Sequence, residues 1–370
     1  MLPARILHPL KAFPLALLLA AGLLSGCAGL FGPGEVSQAV PPSPSDRFPL
    51  PPAGNDVIGT LQVATARSED TLADIARRYN LGYEEIVAAN PGVDPWLPGE
   101  GTAVVLPTQF VLPGGERKGL VLNLASMRLF YYPEPAPGQA AEVVTHPMGI
   151  GREGWETPQG EARVIQKTAN PAWTVPQSVR REHAAMGDPL PRVVPPGPDN
   201  PLGEYAMRLS MPSYLIHGTN KPWGVGMRVS HGCIRLYPED IARLFPEVPV
   251  GTPVRIINEP YLAGWRGGIL YLEAHPPLAE DSRSGEDKLE RALAAQTGGN
   301  PAALNGEKAR QTMREARGLP VPITEGSAGL NELLALAPRV SSTPDWAPVD
   351  YDSQDESPTE QGTAPAAASR

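Results

Sequence analysis

The sequence predicts a mostly β domain with little helix, joined to a small α+β unit of βααβ type and followed by a disordered C-terminal tail. Three observations predict it. From Gly119 to Glu259, short apolar runs alternate with turn residues and carry almost no helical period. From Val57 to Pro107, Leu72, Ile75, Ala76 and Tyr79 recur at i, i+3, i+4 and i+7 between two strand-like stretches. The 45 prolines and 38 glycines among 370 residues, with 41% hydrophobic content, fit folded units separated by extended segments.

Taken in order, Arg5, His8 and Lys11 precede an apolar run from Ala12 to Leu24, broken by Pro14. A charged start, a short apolar stretch and small residues after it describe a signal peptide over residues 1–26. The run is short for a membrane span, and a retained signal anchor is the alternative. Residues 27–56, rich in Pro, Ser and Gly, read as a flexible tether. In the βααβ unit, residues 57–108, Asp70 or Ser68 is placed to cap the first helix. A second helix begins at Tyr83, Ile86 and Val87 and stops at Asn90-Pro91-Gly92. Thr60–Val63 and Thr102–Leu106 are its strands.

The β domain spans residues 109–260, as a sheet or sandwich. Its strand candidates are Leu120–Leu124, Met127–Tyr132, Val143–Ile150, Arg163–Gln166, Tyr205–Leu209, Tyr214–His217 and Thr252–Ile257, with helical signal mainly at Pro238–Leu244. A long proline-crowded loop from Thr168 to Gly203 is placed to form a wall or lid of a site. Residues 261–280 read as a C-terminal extension and 281–370 as a low-complexity tail. Asp287–Ala295, Lys308–Arg317 and Asn331–Leu336 are helix candidates there, without a broad apolar face.

The formal charge of −9 argues against a nucleic-acid binder, which needs a basic face. The only cysteines are Cys27 and Cys233. A lone thiol in an exported chain risks oxidation, so Cys233 calls for a chemical reason or for burial as a small hydrophobe. Its neighbours favour chemistry. His231 and Gly232 precede it, and His217-Gly218 ends an apolar strand just upstream. Imidazole can take a thiol's proton, and glycine beside a nucleophile lets backbone N–H groups approach an oxyanion. Metal binding by His217, His231 and Cys233 is the competing reading, but no fourth ligand completes a structural zinc site. No metal or cofactor is expected.

Leu24-Ser25-Gly26-Cys27 resembles the bacterial lipobox, which implies a lipidated Cys27. With Ala28 after it, the resemblance implies a periplasmic protein anchored in the outer membrane. The residues Glu69 to Ala76, Ile86 to Pro91, Leu97-Pro98-Gly99 and Val105-Leu106-Pro107 resemble a LysM module, which implies binding of peptidoglycan; an unrelated spacer domain is the alternative.

The run Ile216-His217-Gly218-Thr219 with Val229-Ser230-His231-Gly232-Cys233-Ile234-Arg235-Leu236 resembles the catalytic (YkuD) domain of L,D-transpeptidases. Thr157-Pro158-Gln159-Gly160, Asn170-Pro171-Ala172-Trp173, Val194 to Pro198, Asn200 to Gly203 and Gly251 to Val254 extend the likeness to the ErfK/YbiS branch. The resemblance implies a β-sandwich, Cys233 as nucleophile and His217 as general base oriented by the Gly218 carbonyl. It places an oxyanion hole at the N–H groups of His231, Gly232 and Cys233, with His231 bracing the loop. Arg235, Ser230 and Arg228 are the candidate substrate-binding residues, with a structural salt bridge as the alternative for Arg235. The implied reaction forms a thioester with a tetrapeptide stem, releases D-Ala and passes the acyl group to an amine. That amine belongs to a second stem, giving 3–3 cross-links, or to an outer-membrane lipoprotein. Release of bound lipoprotein by water, and a non-catalytic wall-binding lipoprotein, are the alternatives.

Overall fold

The computed structural model describes residues 46–299 and 303–340. The signal segment, Cys27, most of the expected tether and residues 341–370 lie outside the described residues.

In the small unit, strand Gln62–Thr65 pairs antiparallel with Ala103–Leu106, Val63 opposite Val105. Helices α1 (Leu72–Arg78) and α2 (Tyr83–Ala89) join them. The helical stripe read from the sequence is the buried one: Leu72, Ile75, Leu81 and Ile86 are fully buried. The cap differs from expectation. Thr71 starts α1, its Oγ1 accepting from Asp74 N–H while Asp74 accepts from Thr71 N–H at 3.0 Å, a reciprocal capping box. Asp70 instead pairs with Arg78 at 2.5 Å, and burial of both gives the pair its weight. Asn90 closes α2: its amide donates to the Ile86 and Val105 carbonyls and its oxygen accepts from Val105 N–H.

The β domain is built on one nine-stranded sheet. Its strands run, edge to edge, Arg47–Pro49, Glu142–Pro147, Arg128–Tyr132, Gly119–Asn123, Pro253–Ile257, Gly160–Ala169, Tyr205–Leu209, Leu215–His217 and Ile234–Arg235. The expected sheet or sandwich takes the form of two halves joined through one strand. The long strand Gly160–Ala169 serves both halves: its start pairs with Pro253–Ile256, and past a bulge at Val164–Gln166 it pairs with Tyr205–Leu209. Both halves line one core, Leu120, Leu129 and Val144 from one side and Met207, Ile216 and Ile234 from the other. Helix α3 (Gln177–Ala185) stands in the proline-rich loop. Helix α4 (Pro238–Glu247) lays Ile241 and Leu244 onto the core.

Two expectations are corrected. The end of the tether is structured: Arg47–Pro49 is an edge strand against Glu142–Val144, held by Arg47 between Glu142 (2.9 Å) and Glu247 (2.6 Å). Much of the supposed tail is also folded. The hairpin Tyr261–Arg266/Ile269–Ala274 and strand Val321–Pro322 make a three-stranded sheet covered by α5 (Gly285–Thr297) and α6 (Gly306–Glu315). Leu289 and Ala309 pack there against Leu270 and Leu272. The helices' apolar stripe is narrow, and a sheet supplied by residues upstream covers it. Helix α7 (Leu330–Leu336) follows, and Arg339–Val340 adds a parallel strand to the small unit at Val63–Ala64.

The small unit is welded to the sheet. Ile58, Leu72 and Phe110 share one core with Val121, Phe130 and Val143. Within that contact Arg128 is bidentate to Glu85 at 2.7 and 2.9 Å, both side chains buried. Arg77 reaches Glu239 on α4 at 2.7 Å. Tyr83 and Glu84 N–H groups donate to the Val225 and Gly226 carbonyls. There Gly226, at φ +76°, lies so close to Gly82 that a Cβ would fall 2.3 Å from its Cα.

Arg128→Ala leaves the Glu85 carboxylate buried without its partner. The expected loss is about 3–5 kcal/mol of unfolding free energy, read by urea denaturation. The double replacement Arg128→Met/Glu85→Leu is expected to cost less than Arg128→Ala alone.

Candidate active site

The site is assembled by a short parallel pairing. Strand Leu215–His217 lies beside Ile234–Arg235 with Ile216 opposite Ile234 and His217 opposite Arg235. Side chains alternate along a strand. Ile216 and Ile234 are fully buried in the core, so His217, Arg235 and Cys233 fall on the other face. This pairing brings together residues that the sequence keeps sixteen positions apart.

His217 is buried, and its Nδ1–H donates to the Gly218 carbonyl at 2.6 Å. That bond assigns the proton to Nδ1 and leaves Nε2 with a lone pair. Burial, aided by the Arg235 charge, pushes the imidazole down to about 3, while the Gly218 and Leu202 carbonyls pull it back up. The ring is therefore neutral at pH 7. Cys233 is partly exposed and is a free thiol. Its Sγ lies 3.7 Å from the Ser213 carbonyl oxygen. Burial pushes the thiol up, against the opposing pull of Leu215 backbone and of Arg235. Thiol and imidazole both rest neutral, and the Arg235 guanidinium supplies a positive charge beside them.

Arg235 is itself lowered by burial, and the charge that raises it is Cys233. Its Nε is buried without a hydrogen-bond acceptor, and among the described residues no carboxylate pairs with it. Its backbone is fixed by exchange of both hydrogen bonds with Gly149.

The turn carrying the thiol is held by its own hydroxyl. Ser230 Oγ donates to the Cys233 carbonyl at 2.6 Å and accepts from Gly232 N–H at 3.1 Å. Ser230 is buried and braces the turn, and Gly232 N–H is committed to its hydroxyl. Gly232, at φ +101°, admits no side chain, since a Cβ would meet the Tyr214 ring at 2.9 Å. Arg228 places its Nη2 3.0 Å from both carboxylate oxygens of Glu280.

Residues to which the sequence reading gave no role at the site complete the frame. Thr157 Oγ1 donates to the Gly232 carbonyl at 2.8 Å and accepts from Gly151 N–H. Glu182, on α3 in the proline-rich loop, meets His231 Nε2 at 2.8 Å and also pairs with Arg152. Trp155 stands edge-on to the His231 ring, centroids 4.8 Å apart. Acidic and aromatic residues near Arg152 and in the long loop were the available signal, but nothing in the sequence said which would reach His231.

The depressed His217 makes a stability prediction. The unfolded chain takes up a proton near pH 6.5, whereas the folded chain resists until about pH 3. Stability from this group is therefore present above pH 6.5 and is lost as pH falls through that window. Urea denaturation at pH 7 and pH 4.5 is expected to show a smaller drop for His217→Gln than for the parent chain. Equal drops would contradict a buried neutral imidazole.

The frame has relatives. Residues 117–256 match the L,D-transpeptidase catalytic domain (YkuD), and residues 64–95 match the LysM domain. The chain is 40% identical over 290 residues to the probable L,D-transpeptidase YcfS of Escherichia coli K12, covering 76% of this chain and 89% of that protein. It is 39% identical over 289 residues to the probable L,D-transpeptidase ErfK/SrfK of the same strain, covering 76% and 91%. With the probable L,D-transpeptidase YbiS it shares 44% identity over 236 residues, 63% of this chain and 76% of that one. At these identities over most of each relative, with the Cys233 turn set in the matched catalytic domain, the chain belongs to the L,D-transpeptidase family.

Proposed function

We propose that the chain acylates Cys233 with a peptidoglycan tetrapeptide stem and passes the acyl group to an amine. The observation that carries this reading is the parallel pairing of Leu215–His217 with Ile234–Arg235, which sets base, nucleophile and cation on one face. His217 Nε2 takes the thiol proton as sulfur attacks the carbonyl between the third residue and D-Ala. The N–H groups of His231 and Cys233 receive the developing oxyanion, and Arg235 offsets the negative charge that appears at sulfur or on the stem's carboxylate. The C–N bond breaks, the imidazolium gives its proton to the departing D-Ala amine, and a thioester remains. An acceptor amine then attacks: a C–N bond forms, the C–S bond breaks, and the amine's proton returns through His217 to sulfur.

The LysM domain supports binding to the same polymer. The lipobox-like Leu24-Ser25-Gly26-Cys27 supports a lipid anchor at Cys27 and a periplasmic site facing the wall, with Ala28 favouring the outer membrane. The acceptor is a second stem or a lysine of an outer-membrane lipoprotein. The ErfK and YbiS likeness leans toward the lipoprotein.

The test uses the chain without residues 1–27, tetrapeptide-rich peptidoglycan and both kinds of acceptor amine, with products resolved by mass. The expected outcome is loss of D-Ala with new amide-linked species. Cys233→Ala should abolish both, and His217→Ala should slow them about 10²–10⁴-fold. Unchanged peptidoglycan with the intact chain, or product from Cys233→Ala, would overturn the proposal.

A further inference from the structure

Asn200 is fully buried at the root of the proline-rich loop, where carbonyls outnumber donors. Pro195, Pro196, Pro198 and Pro201 have no N–H, so the carbonyls around them need a donor from elsewhere. The Asn200 amide supplies it. Its Nδ2 donates to the Pro171 carbonyl at 2.8 Å and the Pro195 carbonyl at 3.0 Å, with the Val194 carbonyl at 3.4 Å. Its Oδ1 accepts from Leu202 N–H at 2.9 Å. Two donors and an acceptor in one planar group are what an amide offers; a carboxylate of the same shape brings no donor. Pro171 opens the loop and Leu202 closes it, so one side chain clips the two ends together. Asn170 N–H, donating to the Glu204 carbonyl at 2.7 Å, makes a second clip.

The clipped root bears on His217. The Leu202 carbonyl, with that of Gly218, hydrogen-bonds the His217 imidazole. The approach is close. A Cβ on Gly218 would lie 3.5 Å from the Leu202 oxygen, and one on Gly203, at φ +65°, would fall 2.8 Å from Thr219 N. Both peptide units flanking Leu202 are held by Asn200. Its Oδ1 takes the Leu202 N–H, and its backbone carbonyl takes the Gly203 N–H at 2.9 Å, in the peptide whose oxygen meets His217. Carbonyls only accept, so the two oxygens decide how the ring is turned and which nitrogen keeps its proton.

Resting on the reading of His217 as the base, we propose that Asn200 is a positioning residue for it. By clipping the loop root and holding Leu202, Asn200 aims a second carbonyl at the imidazole and so sets its orientation and tautomer.

The test compares Asn200→Ala with the parent chain, an unchanged near-UV circular dichroism spectrum being the check on folding. Cys233 acylation is followed by intact mass against the concentration of a tetrapeptide donor. The imidazole nitrogens are followed by NMR, His217 being assigned by its absence in His217→Gln. The parent is expected to show one His217 tautomer, protonated at Nδ1, and Asn200→Ala a mixture. The acylation rate at saturation should fall about 10–100-fold, with the half-saturating donor concentration within about threefold. Asn200→Asp should be as slow as Asn200→Ala, and Asn200→Ser, which keeps a donor and an acceptor, should recover part of the rate. Where Asn200→Ala does not fold, Asn200→Ser carries the same comparison with a smaller fall. Gly203→Ala, which pushes the root off Thr219, should give the Asn200→Ala signature with the amide intact. Glu182→Gln, on the same loop but at His231, should leave the His217 resonances unchanged. A folded Asn200→Ala that acylates within about twofold of the parent overturns this inference. So does a slowed variant whose His217 resonances match the parent's, which would make Asn200 a brace of the loop alone. Failure of the parent to acylate overturns the transpeptidase reading itself, while the ring resonances, which need no donor, still decide what Asn200 does.

Discussion

The pairing of Leu215–His217 with Ile234–Arg235 is only two residue pairs long, yet the site depends on its register. Ile216 and Ile234 sit side by side, fully buried, on the core face. Shifting one strand by a single residue would turn an isoleucine out of the core and drive a polar site residue into it. Burying such a side chain is worth roughly 1.5–3 kcal/mol, so two isoleucines hold the register firmly. The placement of His217, Cys233 and Arg235 on one face is thus a by-product of apolar packing. The residues proposed to react are placed by the residues between them.

The same burial sets the charge state. It pushes His217 down and Cys233 up, so both effects oppose a resting thiolate–imidazolium pair. The Arg235 cation is already in place and has no carboxylate to neutralise it among the described residues. A thiol that stays protonated until substrate arrives resists oxidation, which falls mainly on thiolates. In the proposed reaction, charge develops next to a guanidinium that need not move to meet it.

Much of this was legible in the sequence, because the features that single out Cys233 and His217 as candidates are local. A lone thiol after His-Gly, and a histidine closing an apolar strand before glycine, need no distant partner to be recognised. The mostly β character and the βααβ unit followed from period alone. What the sequence did not supply was partners. Arg228 meets Glu280 from 52 positions away, and Ser230 folds back onto its own turn. Glu182 reaches His231 across 49 positions from within a loop that reads only as proline-rich. Helices α5 and α6 looked too thinly apolar to fold, since the sheet that covers them is contributed by Tyr261–Ala274. Sequence period reports which face of an element is apolar. It does not report what covers that face.

These distant partners explain why the nucleophile turn can act as a rigid template. Thr157 holds the Gly232 carbonyl, Glu182 holds His231 and Glu280 holds Arg228, each from a different segment of the chain. The chain entering the turn is fixed a fourth time, where Val225 and Gly226 accept from the N–H groups that open α2 of the LysM domain. A binding module on a flexible linker raises only the local concentration of its ligand. A module fused through a shared core, the Arg128–Glu85 pair and these backbone bonds also fixes direction. A glycan held by this LysM domain would therefore approach Cys233 along a restricted set of paths, and orientation as well as proximity would favour the stems that can reach it.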